Sequence, residues 1–260
     1  ALADYYSRVL GHRFTVEDGI YRGRAHQRRL SLMAGAPRTL AYVAFAVRDD
    51  AGLQALKTRL GAAGVGFADC ASPGLRPGAI ALADPDGNSF RFGVADDAPL
   101  VSASDLAMRP ARIQHIVFSS TDIARMLTFF TDVVGFVVSD RVVDGEGRLT
   151  TVFLRCSHEH HSLAIFAAGK SRLDHHCYEA GDWNLIRDWS DHFASMRLPL
   201  KWGPGRHGPG DNLFVFIHDP DDNWVEISAE LEVIGPDRPE GVWPHEEHTL
   251  NRWGSAYLRS

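Results

Sequence analysis

The sequence predicts an α+β protein assembled from repeated modules, each made of strands and one helix. The first observation is a repeat: ADPDGNSFRFG at 83–93 returns as HDPDDNWVEIS at 218–228, 135 positions later. The second is that DYYSRVLGHRF at 4–14 resembles TFFTDVVGFVV at 128–138. The third is the order of patterns in each complete module, which is a strand, a helix and then several strands. Repetition of one such unit predicts a duplicated fold.

The repeat divides the chain into four modules, at about 1–35, 38–95, 111–168 and 171–230. Paired in chain order, they predict two domains, a linker and a tail: an N-terminal domain at 1–96, a linker at 97–110, a C-terminal domain at 111–235, and a tail at 236–260 packed on that domain. The linker is predicted from its polar, proline-containing composition.

The first module lacks the strand that opens the third one. His115, in that strand, lies 14 residues before Phe129, and Tyr5 is the equivalent of Phe129. The matching first strand would therefore lie before residue 1. We expect the native chain to begin earlier than this numbering does.

The helix of the third module is predicted from an apolar stripe at 123–130. Ile123, Met126, Leu127 and Phe130 recur at i, i+3, i+4 and i+7, the spacing of one buried helix face. A polar residue at 120–122 can cap its start, and Gly135 can end it. β-rich runs, LTTVFLR and HSLAIFAA, follow this helix.

The repeated stretches DPDGN and DPDDN predict tight turns. Proline fixes φ, whereas aspartate, asparagine and glycine tolerate left-handed backbone and hydrogen-bond to it. Each turn leads into a strand, SFRFG or WVEIS. Glu226 lies in the second of these strands, and Arg91 takes its place in the first.

Composition excludes several classes of function. The chain has 260 residues, is 45% hydrophobic and carries a net charge of -6, without a long basic run, so nucleic acid and anionic membranes are not expected partners. No apolar stretch is long enough to span a bilayer, and the first residues do not resemble a signal peptide. Three widely spaced cysteines predict a reducing compartment, the cytoplasm, rather than a disulfide framework.

Thirteen histidines suggest metal or proton chemistry, and the candidates lie on predicted strands. His115 lies in RIQHIVF, and His175 and His176 lie in LDHHCYE. Because strand side chains alternate between faces, only one histidine of the pair can face a given neighbour. Alignment of IQHIVF with DHHCYE places His176 opposite His115 and turns His175 away. Two imidazoles and the Glu226 carboxylate suit Fe(II), with Mn(II) or zinc as alternatives.

These stretches resemble the vicinal oxygen chelate superfamily and, within it, the two-domain type I extradiol ring-cleavage dioxygenases. The resemblance rests on RIQHIVFSSTDIARMLTFFTDVVGF, HEHHSLAIF, LDHHCYEA, WGPGRHGPGDN and DPDDNWVE, and extends over most of residues 1–230. It implies paired βαβββ modules that form half-barrels, an inactive N-terminal domain, and an Fe(II) site in the C-terminal domain. By motif, the ligands would be His115, His176 and Glu226.

The same resemblance assigns further site residues. It makes His161 the acid/base and His207 a second active-site histidine that binds substrate or intermediate. The family usually has a tyrosine where this chain has Phe216, which carries no hydroxyl. Tyr178 and His218 are candidate replacements in the substrate pocket, as are two residues of the tail, His245 and His248.

The activity implied is extradiol cleavage of an aromatic diol by O₂, in a protein that forms homo-oligomers. Two alternatives stay open at this stage: a glyoxalase- or isomerase-type enzyme that uses its metal as a Lewis acid, and a protein that binds an aromatic ligand without catalysis. In the N-terminal copy, Arg91 replaces Glu226 and Tyr42 lies near the position of His176. A cation there would repel a metal ion, so we expect no metal in that domain.

Overall fold

The computed structural model describes residues 1–25, 27–96, 111–235 and 237–257. The predicted linker at 97–110 lies outside the described residues. Within the described chain, the helices are α1 (Leu2–Leu10), α2 (Asp50–Ala62), α3 (Ile123–Thr128, continued by a π-helical turn at Phe129–Val134), α4 (Trp183–Ser195) and α5 (Glu247–Leu250). None of these helices is long and apolar enough to cross a membrane.

The strands of the first half form two sheets. They are β1 (Arg13–Glu17), β2 (Ile20–Ala25), β3 (Arg28–Leu32), β4 (Val43–Val47), β5 (Ala68–Asp69), β6 (Ile80–Ala83) and β7 (Ser89–Val94). One sheet has the order β1-β2-β3 and the other the order β4-β7-β6-β5.

The second half forms one nine-stranded sheet. Its strands are β8 (Arg112–Ser120), β9 (Val137–Val143), β10 (Leu149–Arg155), β11 (Leu163–Ala167), β12 (Arg172–Glu179), β13 (Trp202–Arg206), β14 (Leu213–His218), β15 (Trp224–Ala229) and β16 (Gly241–Pro244). Their order is β13-β14-β15-β12-β8-β11-β10-β9-β16.

This order confirms the predicted modules. On one side of the central β12–β8 pair the order is β12-β15-β14-β13, and on the other it is β8-β11-β10-β9. Each module therefore pairs its first strand with its last in parallel and adds the others antiparallel. The β4-β7-β6-β5 sheet of the first half repeats the same order.

The repeated turns share one hydrogen-bond pattern, which explains why both copies keep the sequence. Asp84 Oδ1 accepts hydrogen bonds from the backbone N–H groups of Asp86 and Asn88. Asp219 Oδ1 accepts them from Asp221 and Asn223 in the same way. In each copy the asparagine side chain also donates to the first aspartate, at 2.7 and 2.9 Å. The turn is thus a requirement of the fold and independent of the residue at position 226.

Helices α1 to α4 lie in the two cores where the halves of the molecule meet. In one core, α2 and the strands beside it pack on α3, where Met126 and Phe130 are fully buried as the stripe predicts. Asp122 caps α3 through a 3.0 Å bond from the Arg125 N–H, and Gly135 ends the helical segment at φ 99°. Arg59 of α2 donates to the carbonyl of Val134, which ties the two halves at this helix end.

A second core joins α1 to α4 and to β14 and β15. At its centre the buried guanidinium of Arg28 donates to the carbonyls of Leu10 and Ala111, and it lies 5.5 Å from the centroid of the Tyr178 ring. The first module therefore covers the outer face of the fourth, as the second covers that of the third.

A buried carboxylate fastens the chain after residue 237 to the sheet. Asp140 of β9 accepts hydrogen bonds from the Trp243 indole at 2.7 Å, from the Gly241 N–H at 3.0 Å, and from Arg238. β16 pairs in parallel with β9 beside these contacts. Burial opposes ionisation of Asp140, but His160 and Arg238 lower its pKa to about 2.

We predict that Asp140→Asn lowers the free energy of unfolding by about 2 kcal/mol at pH 7, since the folded-state pKa lies below the ordinary 3.8. A depressed folded pKa stabilises the protein above the unfolded pKa, and this contribution is lost as pH falls through the folded pKa. The difference between the variants should therefore narrow below about pH 4. Urea unfolding of wild type and Asp140→Asn at several pH values measures this difference in unfolding free energy.

The control for this experiment is Asp191→Asn on the exposed surface of α4. That change should alter the unfolding free energy by less than about 0.5 kcal/mol at every pH. An Asp140→Asn effect that stayed constant down to pH 3 would show that the Asp140 charge does not stabilise the fold.

Candidate active site

Three adjacent strands of the nine-stranded sheet bring the candidate metal ligands together. Cys177 of β12 pairs with His115 of β8 on one side and with Glu226 of β15 on the other. Paired residues of neighbouring strands point to the same face, and the residue two positions away does so too. His175 therefore shares this face with His115 and Glu226.

The predicted ligand His176 is a wrong assignment, because its side chain lies on the opposite face. Its Nε2 is 3.5 Å from the Tyr6 hydroxyl of α1, in the second core. The alignment was shifted by one residue. RIQH at 112–115 matches RLDH at 172–175, so that His175 is the counterpart of His115. Register irregularities flank this part of β12, between Leu173 and His175 and again between Cys177 and Tyr178.

The two imidazoles approach one carboxylate oxygen at equal distance. His115 Nε2 and His175 Nε2 each lie 3.1 Å from Glu226 Oε2. The other ring nitrogen is engaged in each case: His115 Nδ1 contacts the Gln114 side-chain carbonyl, and His175 Nδ1 lies 2.6 Å from Asp174. Such partners hold the hydrogen on Nδ1 and leave the Nε2 lone pair directed at Glu226. Neither Gln114 nor Asp174 was singled out from the sequence.

Glu226 is ionised although its side chain is only 1% exposed. Burial alone would raise its pKa, but the adjacent rings of His115 and His175 bring the pKa well below the ordinary value. The Asn212 amide also donates to its Oε1, at 3.3 Å. The site therefore presents a buried negative charge beside the imidazoles of His115 and His175 and the amide of Asn212.

Cys177 is another candidate for a metal ligand together with His115 and Glu226. A ligand atom from each of His115, Cys177 and Glu226 fits within 4.8 Å of the others. However, burial and the Glu226 charge raise the pKa of the Cys177 thiol well above its ordinary value, so it stays protonated. His175 is the better third ligand on geometry, because its Nε2 lies at the same 3.1 Å from Glu226 Oε2 as His115 Nε2.

These residues fit a divalent metal ion. Two ligand atoms at right angles around one ion, with bonds of about 2.1 Å, lie about 3 Å apart. The two separations of 3.1 Å match that spacing. Two neutral imidazoles and one carboxylate are also the donor set that suits a non-haem Fe(II) centre.

His161 lies beside this group, as the resemblance implied. Its ring centroid is 4.4 Å from that of His115, and its side chain lines the pocket described below. Burial lowers the pKa of His161 well below its ordinary value, and the neighbouring rings of His115 and His160 add to the shift. The imidazole is therefore neutral, and one of its ring nitrogens carries a lone pair.

His207 lies on the other side of Glu226. Its Nε2 is 3.8 Å from Glu226 Oε1, and its ring stacks on Phe214 with centroids 4.0 Å apart. Nδ1 donates to the Leu250 carbonyl, so Nε2 carries the free lone pair. Burial lowers the pKa of His207 to about 4.

A mainly apolar pocket with a cavity volume of about 100 Å³ opens over the candidate ligands. Its apolar wall includes Val117, Phe153, Phe166, Trp202 and Phe216. Among the described residues that line it, none is lysine or arginine. The tail contributes to the lining through His245, Thr249, Leu250 and Tyr257.

Of the predicted pocket residues, Phe216 is in place, with its ring 5.1 Å from that of His175. The other two assignments are wrong. Tyr178 is buried on the opposite face of β12, beside Arg28. His218 lies at the end of β14, where its Nδ1 is 2.6 Å from Asp222 and its ring contacts Trp224. His245 is the tail histidine that lines the pocket, and its Nδ1 is 3.0 Å from the Thr150 hydroxyl.

The corresponding place in the first half holds a different pair. Ala44 pairs with Arg91 as Cys177 pairs with Glu226, so Tyr42 corresponds to His175. The Arg91 guanidinium lies 3.6 Å from the centroid of the Tyr42 ring. A cation stacked on an aromatic ring thus occupies the place where the second half has a carboxylate and an imidazole.

Comparisons with known proteins agree with this architecture. Residues 112–227 match the Glyoxalase/Bleomycin resistance protein/Dioxygenase superfamily. The chain is 31% identical to biphenyl-2,3-diol 1,2-dioxygenase of Pseudomonas sp. (strain KKS102), over 92% of this chain and 86% of that protein. It is also 31% identical to 3-methylcatechol 2,3-dioxygenase of Pseudomonas putida, over 84% and 82%.

The fold is similar to that of homoprotocatechuate 2,3-dioxygenase from Brevibacterium fuscum, solved as an anaerobic complex with 3,4-dihydroxyphenylacetate. The TM-score is 0.87 at 23% identity, over 99% of this chain and 85% of that one. The sheet order, the converging imidazoles and carboxylate, and these sequence identities lead to one conclusion: the chain belongs to the extradiol ring-cleavage dioxygenases of the vicinal oxygen chelate superfamily.

Proposed function

We propose that His115, His175 and Glu226 hold a catalytic Fe(II) ion at which this enzyme cleaves a catechol with an uncharged ring substituent. The observation that carries the proposal is the approach of two Nδ1-anchored imidazoles to one buried carboxylate, each at 3.1 Å. When bound, such an ion supplies Lewis-acid activation of the diol and a path for electrons from the ring to O₂. Mn(II) is the alternative, since one relative is named a manganese-dependent 2,3-dihydroxybiphenyl 1,2-dioxygenase.

His161 acts as the base in this proposal. It lies beside His115, in the pocket, and its neutral imidazole can take a proton from a hydroxyl of the diol. The same group, once protonated, can return that proton later in the reaction. Burial keeps bulk water from competing for the proton.

His207 positions the diol from the other side. Because its Nδ1 donates to Leu250, Nε2 is left to accept a hydrogen bond from a substrate hydroxyl. The ring is fixed by its stack on Phe214. Phe216, which cannot donate a hydrogen bond, closes the pocket beside His175 instead of binding a substrate oxygen.

The pocket wall supports the substituent class. Aromatic and aliphatic side chains surround the space beyond the candidate ligands, without a lysine or arginine among the described lining residues. A substrate carboxylate would lose its hydration there without gaining a cationic partner, which is costly. An aryl or alkyl substituent would gain from burial instead.

We further propose that the N-terminal domain, residues 1–96, binds no metal and serves as structural support. The Arg91–Tyr42 contact places a positive charge at the position equivalent to the metal site. The supporting role is proposed because this half packs on the outer faces of the third and fourth modules in the two cores.

Replacement of each adjacent histidine of β12 tests the ligand set. His175→Ala should lower the bound iron per chain at least about tenfold, because a ligand is lost, whereas His176→Ala should keep it. Iron content after anaerobic loading and desalting measures both. The two variants are matched controls for each other, because they truncate adjacent histidines of the same strand, one buried and one half-buried.

The opposite result, loss of iron in His176→Ala with normal iron in His175→Ala, would restore the ligand assignment made from sequence. Equal iron in both variants and in wild type would place the metal away from β12. In either case the circular dichroism of each variant should first match that of wild type.

A second prediction concerns the substrate. The Fe(II)-loaded enzyme should consume O₂ and form a yellow ring-fission product with 2,3-dihydroxybiphenyl or 3-methylcatechol. Its kcat/KM should be at least about tenfold lower with 3,4-dihydroxyphenylacetate, since the pocket has no cation for that carboxylate. Oxygen uptake and absorbance measure both quantities.

Equal or better turnover of 3,4-dihydroxyphenylacetate would contradict the proposed substituent class but not the activity. Absence of O₂ uptake with every catechol, in enzyme that has retained its iron, would contradict the proposed activity itself.

A further inference from the structure

His160, the residue directly before His161, connects it to Asp140, the β9 carboxylate that binds the tail. His160 is fully buried, and its Nδ1 lies 3.0 Å from His161 Nδ1. On its other side, His160 Nε2 lies 3.1 Å from Asp140 Oδ2, close to the carboxylate but without the geometry of a hydrogen bond. Side chains thus form a continuous chain of contacts from the tail to the pocket.

Asp140 determines which end of His160 carries a hydrogen. Its carboxylate already accepts hydrogen bonds from Trp243, Gly241 and Arg238, as an ionised group does. A carboxylate can only accept, so the His160 nitrogen that faces it must be the N–H. In a neutral His160 ring, a hydrogen on Nε2 leaves Nδ1 without one.

The hydrogen position of His161 follows from that of His160. Two facing Nδ1 atoms form a hydrogen bond only when one donates and the other accepts. Because His160 Nδ1 is the acceptor, His161 must carry its hydrogen on Nδ1. His161 Nε2, on the far side of the ring, then carries no hydrogen, and its lone pair can accept a proton from the pocket.

We propose that His160 is a positioning residue that holds His161 in the tautomer of a base, with Asp140 fixing the orientation of His160. This inference rests on the proposed role of His161. Asp140 would act as the buried aspartate does in a Ser-His-Asp triad, by selecting a tautomer without touching the substrate. Asp140 therefore links the tail, through His160, to proton transfer at His161.

The surroundings of His160 support a fixed ring. Glu232 Oε2 lies 4.0 Å from its Nε2, but Arg238 donates to that carboxylate and occupies it. The ring of Phe153 packs beside it with centroids 5.6 Å apart. Gly210, at φ +78°, passes so close that a Cβ there would lie 3.1 Å from His160 Nδ1.

Two substitutions of His160 separate positioning from packing. His160→Phe keeps the ring but removes both nitrogens, and kcat should fall at least about tenfold with KM and iron content unchanged. His160→Asn places an amide oxygen near the former Nδ1 and can accept from His161, so its kcat should stay within about threefold of wild type. A fall in kcat alone, rescued by the asparagine, is not expected of a merely structural residue.

Trp243→Phe is the control for a loosened tail, because it removes one hydrogen bond to Asp140 and leaves His160 untouched. It should retain more activity than His160→Phe. Wild-type kcat in His160→Phe, or an equal loss in His160→Asn and His160→Phe, would overturn the proposal. Wild-type kcat in His161→Ala would instead overturn the role of His161 in the proposed function.

The tautomer itself can be read without turnover. In full-length enzyme loaded with diamagnetic Zn(II) and labelled with ¹⁵N-histidine, the His161 resonances should show a protonated Nδ1 and a bare Nε2. His160 should show the reverse. In His160→Phe the His161 pattern should change. A His161 hydrogen on Nε2 in the wild-type enzyme would overturn the proposal even if the variants fail to fold.

Discussion

The buried negative charge of Glu226 is the constraint on which the second half of this molecule depends. An ionised carboxylate with 1% exposure is tolerated only when neighbouring donors or a cation compensate it. The Asn212 amide donates to it from the segment before β14, and the Nε2 atoms of His115 and His175 approach it from β8 and β12, where the proposed metal cation would complete the compensation. The first half avoids the problem by placing Arg91 against Tyr42 at the equivalent position, where no buried carboxylate has to be held.

The remaining architecture keeps this polar group dry and fixed. The N-terminal modules cover the outer faces of the nine-stranded sheet, and the tail closes its inner face above the pocket. Four histidines of the pocket each have one ring nitrogen in contact with a neighbouring group: Gln114 for His115, Asp174 for His175, Leu250 for His207, and His160 for His161. Such partners orient the imidazoles, which matters because each can bind or accept through only one nitrogen at a time.

Much of this arrangement follows from the sequence, and the failures have physical causes. The modules, the Asp122 cap and the DPDxN turns are set by local residue chemistry, so they were predictable. His115 and Glu226 were proposed from the strand patterns, His161 and His207 from the family resemblance, and all four line one pocket. His176 and Tyr178 were misplaced because a one-residue shift on a strand reverses every face. The match between RIQH and RLDH would have given the correct alignment of the two strands. The contact between Asp140 and His160 could not be predicted, because it forms only in the tertiary structure.

The central claim is that one metal ion is shared by His115, His175 and Glu226. Anomalous diffraction from crystals of the iron-loaded enzyme, recorded at the iron absorption edge, tests it most directly. A single strong peak should lie about 2.0–2.3 Å from the two Nε2 atoms and one Glu226 oxygen. A peak coordinated by Cys177 in place of His175, or one beside Arg91 in the N-terminal half, would contradict the account.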